Sequence, residues 1–152
     1  MPTEAEVRKG LAADEPHYEL LAAELGEGAL PHLAKIARGR QPLLASKAVF
    51  LASVIGGSGA AEVLARAAAH KEPVVRVAAG AAARNLNHAE ATEVLGTLLE
   101  DDDPGVRKVA LRSAARLRLD GVRDRVESMA ERDPEHFLRE QAQDALTRMT
   151  PR

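Results

Sequence analysis

Apolar side chains recur three and four residues apart along most of this chain, and no stretch alternates apolar and polar residues as a half-buried strand would. Leu33, Leu64, Leu95 and Val126 follow one another at a step of 31 residues. Ile36, Ala67, Leu98 and Met129 repeat the same step three positions later. Two apolar columns three residues apart lie on one face of a helix. The chain therefore reads as one helical motif repeated, and a repeat reorganises every later inference.

Prolines mark the other half of the motif. Pro42, Pro73, Pro104 and Pro134 keep nearly the same step, and the last three follow Glu72, Asp103 and Asp133, with Gln41 before the first. Proline at a first helical position loses no hydrogen bond, and an acidic residue before it can cap the free amides. A helix A starting at each proline and ending near Gly56-Gly57, Asn87 or Asp120-Gly121 leaves Ser58, Asn87 or Asp120 to cap a helix B. Asn87 with Glu90 three residues on fits a capping box. The predicted helices cover about 42–56 and 58–70, 73–86 and 88–101, and 104–119 and 121–131, with a last one at about 134–148. Before them lie a pair at about 17–25 and 29–38 and a short helix at about 3–12. Helix pairs cannot bury their apolar faces alone, so the units stack. The expected fold is all-α, a right-handed α-solenoid in one domain, 1–152, with units at about 17–41, 42–72, 73–103 and 104–133 and a capping helix at 134–148.

Composition narrows this further. Of 152 residues, 45 % are hydrophobic and 29 % charged, with Lys+Arg 21 against Asp+Glu 23 and a net charge of −2. That balance disfavours disorder and bulk polyanion binding. Thirty alanines favour helices that approach closely. With no Cys, no Trp, one Tyr and two Phe, disulfides, thiolate metal sites and stacking platforms are excluded or poorly supplied. The start, with Glu4, Glu6, Arg8 and Lys9, lacks a secretory pattern, and the longest uncharged stretch, 48–61, is too short to span a bilayer. A cytoplasmic location with no membrane contact is expected.

The segments Asp103-Pro104-Gly105-Val106-Arg107 and Glu72-Pro73-Val74-Val75-Arg76 each precede an Ala-rich helix and, later, Val94-Leu95 or Val63-Leu64 in helix B. Ala79 aligns with Ala110 and Leu86 with Leu117. On these residues the chain resembles the HEAT-repeat family, most closely its short bacterial HEAT-like repeats of the phycobilisome-lyase type, over about 28–148. The resemblance implies A helices on a convex side and B helices on a concave one. It also implies that Arg76 and Arg107 bond acidic residues of neighbouring units, with Asp101, Asp102 and Asp103 as partners. Ala45 stands where the first unit would carry that arginine, and Arg139 follows an insertion, which suits end units.

Catalytic signatures are weak. His17, His32, His70, His88 and His136 are scattered, and none forms a zinc-binding helix pattern. Gly56-Gly57-Ser58-Gly59 lacks the Lys-Ser/Thr of a phosphate-binding loop and joins two helices. No serine sits in a nucleophile elbow. No catalytic residue, cofactor or metal is expected. Enzymatic chromophore attachment, which the phycobilisome-lyase resemblance raises, would need an apolar pocket that Tyr18, Phe50 and Phe137 are too few and too distant to line.

Two charged features remain. Glu62, Glu93 and Asp124 recur at the full period, and Glu100 and Glu131 form a second such row. The first three also suit the positive end of a helix dipole, whereas the second two sit at the disfavoured end. Stacking gathers these carboxylates on the B helices. A non-catalytic adaptor or scaffold is expected, holding a protein or peptide with a basic contact surface there. The segment 107–125, with Lys108, Arg112, Arg116, Arg118 and Arg123 opposed by Asp120 and Asp124, raises nucleic acid as an alternative, which the chain's overall charge disfavours. Phe50, Val77 and Ala81 fall in the same A-helix columns as these cations, so weak self-association through that apolar patch is a further expectation.

Overall fold

The computed structural model describes residues 1–149; residues 150–152 of the expected domain and unit scheme lie outside the described residues. Among the described residues there are ten α-helices and no strand: α1 (Glu4–Leu11), α2 (Tyr18–Leu25), α3 (Leu30–Ala37), α4 (Pro42–Ile55), α5 (Ser58–Ala67), α6 (Pro73–Ala82), α7 (His88–Leu98), α8 (Pro104–Leu117), α9 (Arg123–Arg132) and α10 (His136–Met149). Short 3-10 turns lead into α3 and α9 and extend α6. Among the described residues, no helix is long and apolar enough to cross a membrane.

The helices form two layers of an α-solenoid. In the A layer α2, α4, α6, α8 and α10 pack in sequence; in the B layer α3 meets α5 and α5 meets α7. The repeat columns explain this order. Ala48, Ala79, Ala110 and Ala142 are fully buried at matching positions of four A helices, where a methyl group lets successive helix axes approach closely. At the close approach of α6 to α8, a Cβ on Gly80 would stand 3.3 Å from Val109 Cγ1. The B-helix columns Leu33, Leu64, Leu95 and Val126 are all 0 % exposed, so the pattern that predicts the repeat also supplies its core.

Caps set the helix ends, with four departures from expectation. Asn87 forms the capping box with Glu90: its Oδ1 accepts the Glu90 N–H at 2.8 Å, and the Glu90 carboxylate accepts the Asn87 N–H at 3.4 Å. Asn87→Ala should cost about 1 kcal/mol in urea unfolding. Asp103 caps α8 by accepting the N–H groups of Gly105 and Val106, but Glu72 makes no such bond. Ser58 lies inside α5, because Gly56 and Gly57 both adopt positive φ (81° and 88°) and the Gly57 carbonyl accepts the first helical bonds. Asp120 does not cap α9; its carboxylate pairs with Arg123 at 2.9 Å, a 3-10 turn intervenes, and the helix starts at Arg123. The last helix starts at His136, not Pro134, since Asp133 accepts the Glu135 N–H at 2.9 Å and holds a turn there.

A ladder of guanidinium groups joins the units. Arg76 donates to the Asp101 carboxylate at 2.8 and 3.2 Å and to the carbonyls of His70 and Lys71. Arg107 repeats this one unit on, donating to Asp133 at 2.9 and 3.1 Å and to the carbonyls of Asp101 and Asp102. Arg139 in turn donates to the Asp133 carbonyl at 2.6 Å. The carboxylate partner of Arg107 is thus Asp133, one unit beyond the Asp101–Asp103 cluster expected for it. Asp102 and Asp103 sit beneath its own loop, where backbone carbonyls face the guanidinium and Asp103 is engaged as a cap. The first unit, with buried Ala45 in place of arginine, uses His70 instead. Its Nδ1 accepts the Glu72 N–H at 3.0 Å, so Nε2 carries the proton and donates to the Gly39 carbonyl at 3.3 Å.

At the N-terminal end, α1 packs on α3 and α4. Lys47 donates to the carbonyls of Leu11 and Ala13, and Glu4 meets Lys35 and Arg8, each at 3.0 Å. Hydrogen bonds from Lys35 and then Arg8 hold the Glu4 carboxyl below its ordinary range. A lowered folded pKa gives a contribution that is present above the usual carboxylate pKa and lost as pH falls through the folded value. Amide exchange in α1 should therefore accelerate relative to α7 on acidification below the usual carboxylate range, and Glu4→Gln should remove that dependence.

Candidate partner-docking surface

The B layer carries two grooves where its helices part. Between α3 and α5 lies one of about 330 Å³, with a floor from Leu30, Ala34, Val63 and Ala67 and a rim of Arg38, Glu62, Arg66 and His70. Gly59 keeps one end open, since a Cβ there would stand 3.0 Å from Leu30 Cδ1. Between α7 and α9 lies a second of about 500 Å³, polar in character, lined among others by Glu100, Asp124, Arg125, Ser128 and Arg132.

The five carboxylates singled out in the sequence are all exposed. Glu100 and Asp124 come together in the second groove, Glu62 stands on the rim of the first, and Glu93 and Glu131 line neither. Their field is not purely acidic. Arg66 pairs with Glu62 at 3.3 Å within α5. Arg125 reaches back from α9 to Glu100 at 3.4 Å, its guanidinium lying over buried Gly96, where a Cβ would stand 3.5 Å from it. Sequence reasoning missed Arg125, although a glycine buried within a B helix is the signal that something lies across it. It also missed the first groove, whose floor residues look like ordinary core positions.

The helical layers have known counterparts. A model of HEAT repeats matches residues 60–147, more than half of the chain. The chain belongs to the HEAT-repeat family. Among solved structures it is similar to human deoxyhypusine hydroxylase in complex with glycerol, with a TM-score of 0.69 and 22 % identity over 79 % of this chain and 43 % of that one. At that identity the likeness is one of fold, and this chain spans less than half the length of that neighbour. No curated protein matches.

Within these HEAT repeats the remaining candidates separate clearly. Among the described residues, no group of three or more His, Asp or Glu side chains is placed to hold a metal ion. Tyr18 and Phe50, expected to be too distant to share a lining, pack together with ring centroids 4.9 Å apart because α2 lies against α4, with Arg84 over Phe50 at 5.6 Å; Phe137 stands far along the chain on α10, 42 % exposed. Val77 and Ala81, expected with Phe50 to mediate self-association, are half-buried on α6. In the basic segment Arg107 belongs to the ladder and Arg123 to Asp120, so two of its cations serve the fold.

Proposed function

We propose that this HEAT-repeat chain is a non-catalytic adaptor or scaffold that holds a partner protein on its B-helix layer. The observation that carries this reading is the groove between α3 and α5, an apolar floor inside a charged rim. An apolar anchor side chain of the partner fits there, the geometry in which a few residues supply most of the binding energy. Lys or Arg of the partner would face Glu93, Glu100, Asp124 and Glu131, which are exposed along the same layer. Buried cross-unit pairs and a continuous core keep the layer rigid, so docking costs little ordering entropy. Complementary charge acts mainly on association rate and is screened by salt.

Affinity capture from the native host supplies the partner, and binding kinetics test the surface. Glu93→Lys with Asp124→Lys should slow association and flatten its salt dependence without unfolding the chain. Ala34→Trp, which fills the groove floor, should speed dissociation at least about tenfold, as loss of a hot-spot anchor does. A partner that binds both variants like the parent rules out docking on the B layer.

A further inference from the structure

Along the central helices, carboxylates are sorted by layer. The A helices α4, α6 and α8 contain no Asp or Glu, whereas α5, α7 and α9 hold Glu62, Glu90, Glu93, Asp124, Glu127 and Glu131. Three of the six cations of those A helices serve the fold: Arg76 and Arg107 form the ladder, and Lys47 ties down the end of α1. Lys108, Arg112 and Arg116 do not. They are four residues apart, so they form one line along α8, spanning about 12 Å. Arg112 and Arg116 are exposed, and none of the three makes a hydrogen bond or ion pair among the described residues. The helix dipole favours Arg116 in the last turn but offers nothing to Lys108 near the start, so it does not explain the line.

The neighbours of this line are unequal. On α6 the matching repeat positions are Val77 and Ala81, half-buried, with Val74 at the helix start 42 % exposed. On the other side a groove of about 190 Å³ between α8 and α10 carries Arg112 and Arg148 and a single carboxylate, Asp144. An uncharged strip thus runs beside an unpaired cationic one.

We propose that the A-layer face of α6 and α8 docks an acidic amphipathic segment of a partner protein. Its carboxylates would lie along Lys108, Arg112 and Arg116, and its apolar side chains on Val74, Val77 and Ala81. A protein segment fits better than nucleic acid. Three cations on one helix, with Asp144 beside them, supply few phosphate contacts, and polyanion affinity grows with their number. The apolar strip would have no role against a phosphate backbone. This surface is separate from the B layer, and the inference stands whether or not that layer binds.

The test is fluorescence anisotropy with a labelled amphipathic helical peptide of Glu, Leu and Ala, its Lys-for-Glu twin and a short DNA duplex. The acidic peptide should bind the parent, and Arg112→Glu with Arg116→Glu should weaken it at least about tenfold, two charge reversals acting together. Arg112→Gln with Arg116→Gln should weaken it less, and circular dichroism checks that both variants fold. Arg40→Glu, which reverses an exposed cation outside both surfaces, should leave it nearly unchanged. The inference is overturned if the acidic peptide does not bind, if the Lys twin binds as well, or if the Arg112/Arg116 variants bind like the parent. Tighter binding of the duplex would assign the line to phosphate instead. Concentration-dependent sedimentation of the protein alone, lost in the Glu variant, would assign it to a second copy; both results overturn the proposal.

Discussion

Replacing Asp133 with alanine should destabilise the protein by about 3 kcal/mol, because it leaves the Arg107 guanidinium buried without its carboxylate. The Arg107 and Asp133 side chains are only 11 % and 4 % exposed, and Asp133 also holds the turn that starts α10 by accepting the Glu135 N–H. Asp101→Ala should cost less, since its pair with Arg76 is more open, at 11 % and 17 % exposed. Urea midpoints at constant slope check both. Converting the inner pair to Arg107→Met with Asp133→Leu should restore much of the loss, as apolar replacements of buried ion pairs do. If the double variant is no better than Asp133→Ala, the turn contributes more than the pair.

Leu95→Ala should cost about 3 kcal/mol, the central value for a fully buried leucine in a core that closes only in part. Leu95 is 0 % exposed in α7, the B helix between α5 and the turn that leads into α9. In a stack stabilised by neighbour contacts, losses at distant units should add. Leu33→Ala, two units away, should therefore combine with Leu95→Ala additively, whereas Leu64→Ala, in the adjacent unit, should not. Equilibrium unfolding of the three single and two double variants measures this directly.

Much of the fold was legible because a repeat writes the same constraint several times. The columns beginning at Leu33 and Ile36 located the B helices, and Pro42, Pro73 and Pro104 located the A helices at their first residue. Where the step changed, inference slipped. Arg139 lies 32 residues after Arg107, not 31, and the carboxylate that Arg107 meets, Asp133, lies one loop beyond the Asp101–Asp103 cluster that the resemblance implies. Which carboxylate turns inward depends on the loop conformation, and Asp101, Asp102 and Asp103 are chemically alike. Capping was legible at Asn87, where two side chains must cooperate, but not at Ser58 or Asp120, where glycine geometry or a nearby arginine took over.

The docking surface was legible only in part. Periodicity put Glu62, Glu93 and Asp124 on exposed positions of the B layer, as expected for matching positions of stacked units. It relates each residue to its own column, so it is silent about the diagonal reach of Arg125 to Glu100, 25 residues back. The groove between α3 and α5 depends on the distance between two helices, set by how side chains such as Leu30 and Val63 interlock, and no pattern of apolar and polar positions encodes it.

The central claim is that a partner protein sits on the B layer. Photo-crosslinking from single benzoylphenylalanine substitutions tests it most directly. Positions 38 and 66 stand on the rim of the first groove and position 128 lines the second, while position 7 is buried within α1 and serves as the negative control. With the partner captured from the host, positions 38, 66 and 128 should each give a covalent adduct that weakens as salt rises, and position 7 none. A complex that forms normally yet yields no adduct from any of the three B-layer positions would contradict the account.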